Sequence, residues 1–373
     1  MLVDISTYSY LPLIAVRPSE MAALENLSNK DKDALLPIIM LRGWQNALNL
    51  SKSIERIEKA FGNRPWIADI CSVYYSEKST LPDHEKKPVH HQLISLKNPA
   101  SGYKNWCDFV EQHEQVIPCL QLEEPSQLAA QIDAFLELDR GIAVRFNEDN
   151  IQVWNTVLQV LAAKEIEDLY VIIDYGRSGQ RAQADLLTYA ASVSGFVNGM
   201  VRLIPNATFI VSSTTFPSEF SGIEGVADKP IYERQFYQMV DSLCPLADMI
   251  YSDRGSVRAE TTDSGWSGSP RIDYPLKDFW KISREKISKE DTKDEKKRNA
   301  AFRKAAKALV SDPAWESGLD VWGAKEIEAA SKTNHITNAR HATAVRINIH
   351  LHRQLHYNLA TGTKIDTDDD WVD

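Results

Sequence analysis

Short apolar runs alternate with amphipathic segments through the first 255 residues, and no other feature of this sequence restricts its fold as strongly. The runs are SYLPLIAV, LLPIIML, PWIADIC, QVIPCLQL, GIAVRF, LYVIID, ATFIVSS and ADMIYS. They are bounded by turn residues, too short for helices and almost continuously apolar, as expected of strands buried on both faces. Between them, segments such as NALNLSKSIERIEKAFG, SQLAAQIDAFLELD and YERQFYQMVDSLCPLA carry apolar residues at helical spacing, and Ser19, Ser126 and Asn150 are placed as helix-start residues. Such alternation implies a parallel sheet covered by helices on both sides. Eight units in residues 1–255 is the count and size of a (β/α)8 TIM-like barrel, which is the expected α/β fold. A doubly wound open sheet has the same local pattern and stays open as the alternative.

The pattern stops at Gly255. SVRAETTDSGWSGSP is Gly/Ser-rich and aperiodic, and reads as a loop. A charged helical segment is expected from about Leu276 to Val310, with twelve Lys/Arg against six Asp/Glu between Lys277 and Lys307. A last helix is expected through TAVRINIHLHRQLHYNL, with Val345, Ile349, His352 and His356 on one face, ahead of the acidic tail DTDDDWVD. Residues 256–373 therefore read as a smaller, mainly helical C-terminal region.

Composition narrows the function classes. With 43% hydrophobic and 25% charged residues the chain has the balance of an ordinary globular protein. The N-terminus lacks a basic signal-peptide start, and no apolar run approaches the roughly 20 residues that span a bilayer, so a cytoplasmic protein with no membrane partner is expected. Cys71, Cys107, Cys119 and Cys244 are widely spaced and read as buried thiols. A net charge of -10 argues against nucleic-acid binding by bulk electrostatics, leaving residues 277–307 as the one basic segment suited to such contact. Phosphate-loop, dinucleotide-turn, nucleophile-elbow and zincin motifs are all missing, so no signature names a cofactor. His352 and His356 stand at i, i+4, but no third ligand is evident and no metal is assigned.

Parallel α/β folds present their chemistry where strands end. Strand alternation puts Asp69, then Gln121 and Glu123, then Arg145 and Asn147, then Asp174, then Ser212 and Thr214 on one face of their strands. Arg42 and Arg17 follow the second and first runs, Arg177 follows Asp174 closely, and the eighth run leaves open whether Asp253 or Arg254 points inward. Burying an unpaired polar group costs about 1 to 3 kcal/mol, so these side chains should face the sheet's interior rather than the apolar helix layer. One reading is a pocket for an anionic small molecule, with Arg42, Arg145 and Arg254 as forks and Asp174 or Glu123 as general acid or base. In it Asp69, Asn147, Arg177, Ser212 and Asp253 complete the ligand set. The other reading is a structural network of charges that satisfy one another.

At YSYLPLIAVRPSEMAAL, LLPIIMLRGW, RIDYPLKDFW, WGAKEIEAAS and VRINIHLHRQL the chain resembles the phage "beta protein" family, over nearly its whole length. That family is named for a satellite-coliphage protein encoded beside a host-killing gene whose effect it suppresses. The family's opening strand carries a lysine where this chain has Ala15, while Arg17 and Glu20 are kept, which weighs against an enzymatic reading. The resemblance implies a phage or prophage protein in an anti-phage defence or toxin-neutralising module, with a neighbouring gene's product as partner. A TIM-barrel enzyme acting on a phosphorylated small molecule or nucleotide is the competing expectation.

Overall fold

A computed structural model describes residues 4–164, 166–175, 183–258, 268–360 and 363. The protein is a mixed α/β structure in which all eight expected runs are strands. β1 (Leu13–Ala15), β2 (Ile38–Leu41), β3 (Trp66–Ile70) and β4 (Val116–Pro118) form one parallel sheet in that order. With β8 (Gly225–Pro230) set aside, β5 (Ile142–Phe146), β6 (Leu169–Tyr175), β7 (Thr208–Ser213) and β9 (Asp248–Asp253) form a second parallel sheet. Single parallel bridges join the two at both sides, Cys119 to Ala143 and Tyr10 to Tyr251. The amides of Leu120 and Leu11 donate there to the carbonyls of Ala143 and Tyr251, at 2.8 and 3.0 Å.

The strands take their places because they are apolar throughout. Every residue of β2, β3 and β5 is buried, and these residues share one core with the helices that follow them. The helix Ser51–Phe61 presents Ile54, Ile57, Ala60 and Phe61 to that core and keeps Lys52, Glu55 and Lys59 outside. Pro18 occupies the first position of the helix Pro18–Glu25, where its missing N–H costs nothing. Ser19, expected as a cap, therefore lies one residue inside the helix, and its hydroxyl donates to the carbonyl of Arg340. His90 and His91 lie in the helix Pro88–Leu96.

The C-terminal region is mainly helical but holds strands that composition concealed. β10 (Arg271–Pro275), β11 (Phe279–Arg284) and β8 form an antiparallel sheet in the order β10-β11-β8. The expected helix from Leu276 to Val310 is thus a strand followed by the helix Glu295–Val310. In β11 the fully buried Trp280 and Ile282 alternate with Lys281, and they pack on Phe216 and Phe220, a two-residue period that the density of lysines hides. The basic residues are partly neutralised, Lys297 by Asp291 at 2.5 Å and Lys304 by Glu285 at 2.7 Å. Most of the expected Gly/Ser-rich loop lies outside the described residues.

The helix Ala339–Leu355 is the joint of the molecule. Every residue from Ala344 to His352 is buried, so the helix is enclosed on all sides rather than on one face. Ile347 and Leu351 belong to the strand core, whereas Val345 and Ile349 belong to a second core with Phe302, Ile327 and Tyr274. Its polar residues reach several other elements. Asn348 donates to the carbonyl of Ala23 and accepts from the amide of Gly323, and Arg234 donates to both the side chain and the carbonyl of Gln354.

Candidate functional site

Four charged side chains from the strand ends meet in a ladder of alternating sign. Asp69 of β3 accepts from Arg145 Nε at 2.6 Å, and Arg145 Nη1 donates in turn to Asp174 Oδ2 at 2.9 Å. Asp174, at the end of β6, also accepts from Arg254 Nη2 at 2.5 Å and Nε at 3.3 Å. Gln121 donates to the other oxygen of Asp69, which also accepts from the Ile70 amide, and Arg145 reaches the hydroxyl of Ser72. All four charged groups are buried. Burial alone would push the Asp174 carboxyl up, but the Arg254 and Arg145 guanidiniums hold it below the usual carboxylate range. The two carboxylates and two guanidiniums balance each other. Cys119, beside Asp69, is pushed well above the usual thiol range by burial and then by that carboxylate, which removes it as a nucleophile.

Two cavities flank the ladder. One of about 610 Å³ opens over the ends of β3, β4 and β5 and is lined by Asp69, Gln121, Glu123, Arg145, Asn147 and Lys97 among others. The other, about 260 Å³, brings Asp174 and Asn147 together with Phe146 and Phe196. Glu123 is ion-paired with Lys97, whose ammonium lies 4.6 Å from the Tyr75 ring. Ser212 stands level with Asp174 in the strand register and next to Ser252 on β9. Both hydroxyls are buried and have no hydrogen-bond partner among the described residues. Arg42 stacks on Tyr74 at 4.6 Å and acts on Glu20, so it is not part of the ladder. Arg177 lies outside the described residues.

The eighth strand's open question resolves in favour of Arg254 as the inward residue. Asp253 does not join the strand-end set. It accepts from Tyr10 at 2.7 Å, Tyr251 at 2.6 Å, the Gly255 amide at 2.7 Å and His350 at 2.8 Å. Burial opposes its ionisation, but His350 and the two phenols hold its carboxyl down at about 2. Arg234 lies 3.4 Å over the Tyr251 ring, and Tyr237 packs edge-on against it, so this cluster sits under the helix layer and locks the last helix to the strands.

His352 and His356 do find a third group, which sequence spacing could not supply. His352 Nδ1 and His356 Nε2 contact the two oxygens of Asp31 at 2.7 and 2.8 Å. Glu326 similarly receives His335 and His341 on one oxygen at 2.7 and 2.6 Å. Either trio has the nitrogen and oxygen donors that zinc accepts. Ligand atoms around a tetrahedral zinc would stand about 3.3 Å apart, given metal–ligand bonds of about 2.0 Å. The observed spacings are instead those of hydrogen bonds. Both trios act here as carboxylate–imidazole clamps, and burial opposed by the two histidines sets the Asp31 carboxyl at about 2.

Among the described residues no helix is long and apolar enough to cross a membrane. The sequence profile of the family described as Beta protein matches residues 10–356. The chain is also similar to the "Protein beta" of Enterobacteria phage P4, at 28% identity over 99% of each chain. A family match that runs from the bridge residue Tyr10 to the clamp residue His356 takes in the strands, the ladder and the last helix together, and the chain belongs to the Beta protein family.

Proposed function

We propose that this chain is a binding module of a phage-type defence or toxin-neutralising system, one that holds a partner protein rather than turning over a substrate. In this reading the eight parallel strands close into a TIM-like barrel over residues 1–255. The bridges from Cys119 to Ala143 and from Tyr10 to Tyr251 support that closure. Residues 256–373 are the helical extension, to which β8 contributes a strand. The partner is the protein encoded beside this chain's gene, as the family's naming protein implies, and both work in the cytoplasm.

The observation that carries the reading is the ladder. A catalytic carboxyl works best with a proton affinity near the operating pH, and Asp174 is held the opposite way by two buried arginines. Its arginines are likewise occupied, Arg145 by Asp69 and Asp174 and Arg254 by Asp174. Such a set satisfies itself and leaves little for a ligand to gain. A second reading, a small-molecule enzyme, draws on the 610 Å³ cavity with Glu123 and Lys97 at its wall.

A survival assay separates the two. Cells express the toxic neighbour together with this chain, either unaltered or with Ser76→Trp and Gln152→Trp, two exposed positions lining the large cavity. The binding-module reading expects full rescue by the filled-cavity variant and a stable complex with the neighbour at low salt. Lost rescue at normal protein level and fold, or failure to co-purify, overturns it in favour of a ligand in the cavity.

A further inference from the structure

Positive charge is left over elsewhere, beneath the start of the last helix. A cavity of about 230 Å³ lies beyond the ends of β7 and β9, walled by Phe216, Arg258, Arg271, Asp273, Thr343 and Arg346. Ligands of parallel sheets, whether open or closed, bind at this end of the strands. Asp273 is shared by two guanidiniums, Arg346 Nη1 at 2.7 Å and Arg271 Nε at 2.8 Å. Arg258 Nε donates to the carbonyl of Pro217 at 3.1 Å, a neutral partner, and feels Asp273 only through space. Glu20 also acts on Arg346, but it faces Arg17 and Arg42 as well, and the exposed Glu219 acts on Arg258.

Among the described residues around this cavity, Arg258, Arg271 and Arg346 stand beside the single buried carboxylate of Asp273. Arg346 is 4% exposed, and its Nε has no hydrogen-bond partner among the described residues. Burial, opposed by Asp273 and reinforced by the neighbouring Arg271 and Arg258, brings Arg346 down to about 10. The guanidinium planes are held in place by rings, Arg346 at 4.0 Å from Phe216 and Arg271 at 3.4 Å from Phe220. Three pre-oriented guanidiniums around one carboxylate suit a compact dianion, because each planar fork matches two phosphate oxygens. The volume is below the roughly 300 Å³ of the smallest drug-sized sites, so it suits a phosphoryl group with a small substituent.

We propose that this cavity binds the phosphoryl group of a phosphorylated small molecule, with Arg258, Arg271 and Arg346 donating to its oxygens. This site is separate from the ladder and does not depend on whether the protein restrains a partner. The binding of one phosphoryl group here would tie the segment after β9 to the last helix through charges that otherwise repel.

The test uses the full chain in low-salt buffer free of phosphate and sulfate. Calorimetric titration with inorganic phosphate and with ribose 5-phosphate should give saturable one-to-one binding, and ribose should give none. Arg258→Gln and Arg271→Gln, both at partly exposed positions, should each weaken phosphate binding about tenfold or more while the circular dichroism spectrum is kept. The proposal is overturned if the folded wild-type chain shows no saturable binding, or if the double variant binds as tightly as wild type. It is also overturned, in favour of a nucleic-acid end, if a 5′-phosphorylated oligonucleotide saturates the site and neither small ligand does.

Discussion

Asp174→Asn is the substitution that tests the ladder most directly. The change keeps the size of the side chain and removes its charge, so packing stays constant while two buried guanidiniums lose an anion. Arg145 keeps Asp69 at 2.6 Å, but Arg254 loses its one carboxylate partner among the described residues. With side-chain exposures of 0% for Asp174, 4% for Arg145 and 9% for Arg254, solvent cannot replace what is lost. Breaking a buried pair by removing one partner costs about 3–5 kcal/mol. At about 2.1 cal/mol/K per residue, unfolding this chain carries an entropy of about 0.8 kcal/mol/K, so the midpoint should fall by about 5 °C. Scanning calorimetry measures the fall, and a cycle with Arg254→Met isolates the pair. Arg254→Met should cost much less in the Asp174→Asn background than alone. If Asp174→Asn melts within about a degree of wild type, or if the two changes simply add, the ladder is not the buried, mutually neutralised network described above.

Acid titration probes the other carboxylates. Asp253 and Asp31 have folded values of about 2 against 3.8 for the free group, so each binds its proton more weakly when folded. Their stabilisation, ~2 kcal/mol apiece, is complete above about pH 4 and is lost as pH falls toward 2. Asp253→Asn should flatten that acid limb in urea melts, and an unchanged limb would speak against the clamp. Gly323→Ala should destabilise despite lying in the helix Trp322–Lys332, because a Cβ there would stand 2.6 Å from the Val345 carbonyl and 2.7 Å from Ile349. An increase in melting temperature, as helix propensity alone would give, would contradict the close packing of the two helices. Trp280→Ala should cost about 3–5 kcal/mol as a large-to-small change at a fully buried ring whose Nε1 also bonds Ser256. A loss under 1 kcal/mol in denaturant melts would return that segment to an exposed surface.

How far the sequence alone reaches depends on where each residue's partner lies. The eight strands were legible because runs such as IIML and WIADI are buried on both faces and need no partner information to be recognised. Asp69, Arg145 and Asp174 followed from strand alternation, which is local. The antiparallel strands were not legible. β8 reads GVADKP, with Gly, Asp, Lys and Pro in a strand held by its pairing to β11 and by the Lys281–Asp228 ion pair at 3.0 Å. The inward direction of Arg254 rather than Asp253 was likewise hidden, since it is set by His350, 97 residues further on. The same holds for Asp31, whose partners His352 and His356 lie more than 300 positions away. Asp31 looks like any acidic residue in a polar helix until the last helix is docked.

That docking also decides which experiments can speak to function. Ile347 and Leu351 are part of the strand core, and His350 is one of four donors to Asp253, beside β9. Removing residues 256–373 would therefore strip the strand core of buried apolar surface and leave Asp253 buried with fewer donors, which is costly for a carboxylate. Loss of rescue by such a truncation would report unfolding as readily as a missing partner surface. Filling the large cavity through Ser76 and Gln152, or neutralising Arg258 at the smaller one, alters exposed or half-exposed side chains and leaves the joint intact. The two cavities also differ in kind. The large one borders a ladder whose charges cancel, whereas the small one borders three arginines, two of which share one carboxylate. A partner protein and a phosphorylated ligand thus make demands on different parts of the fold, and single substitutions can address them separately.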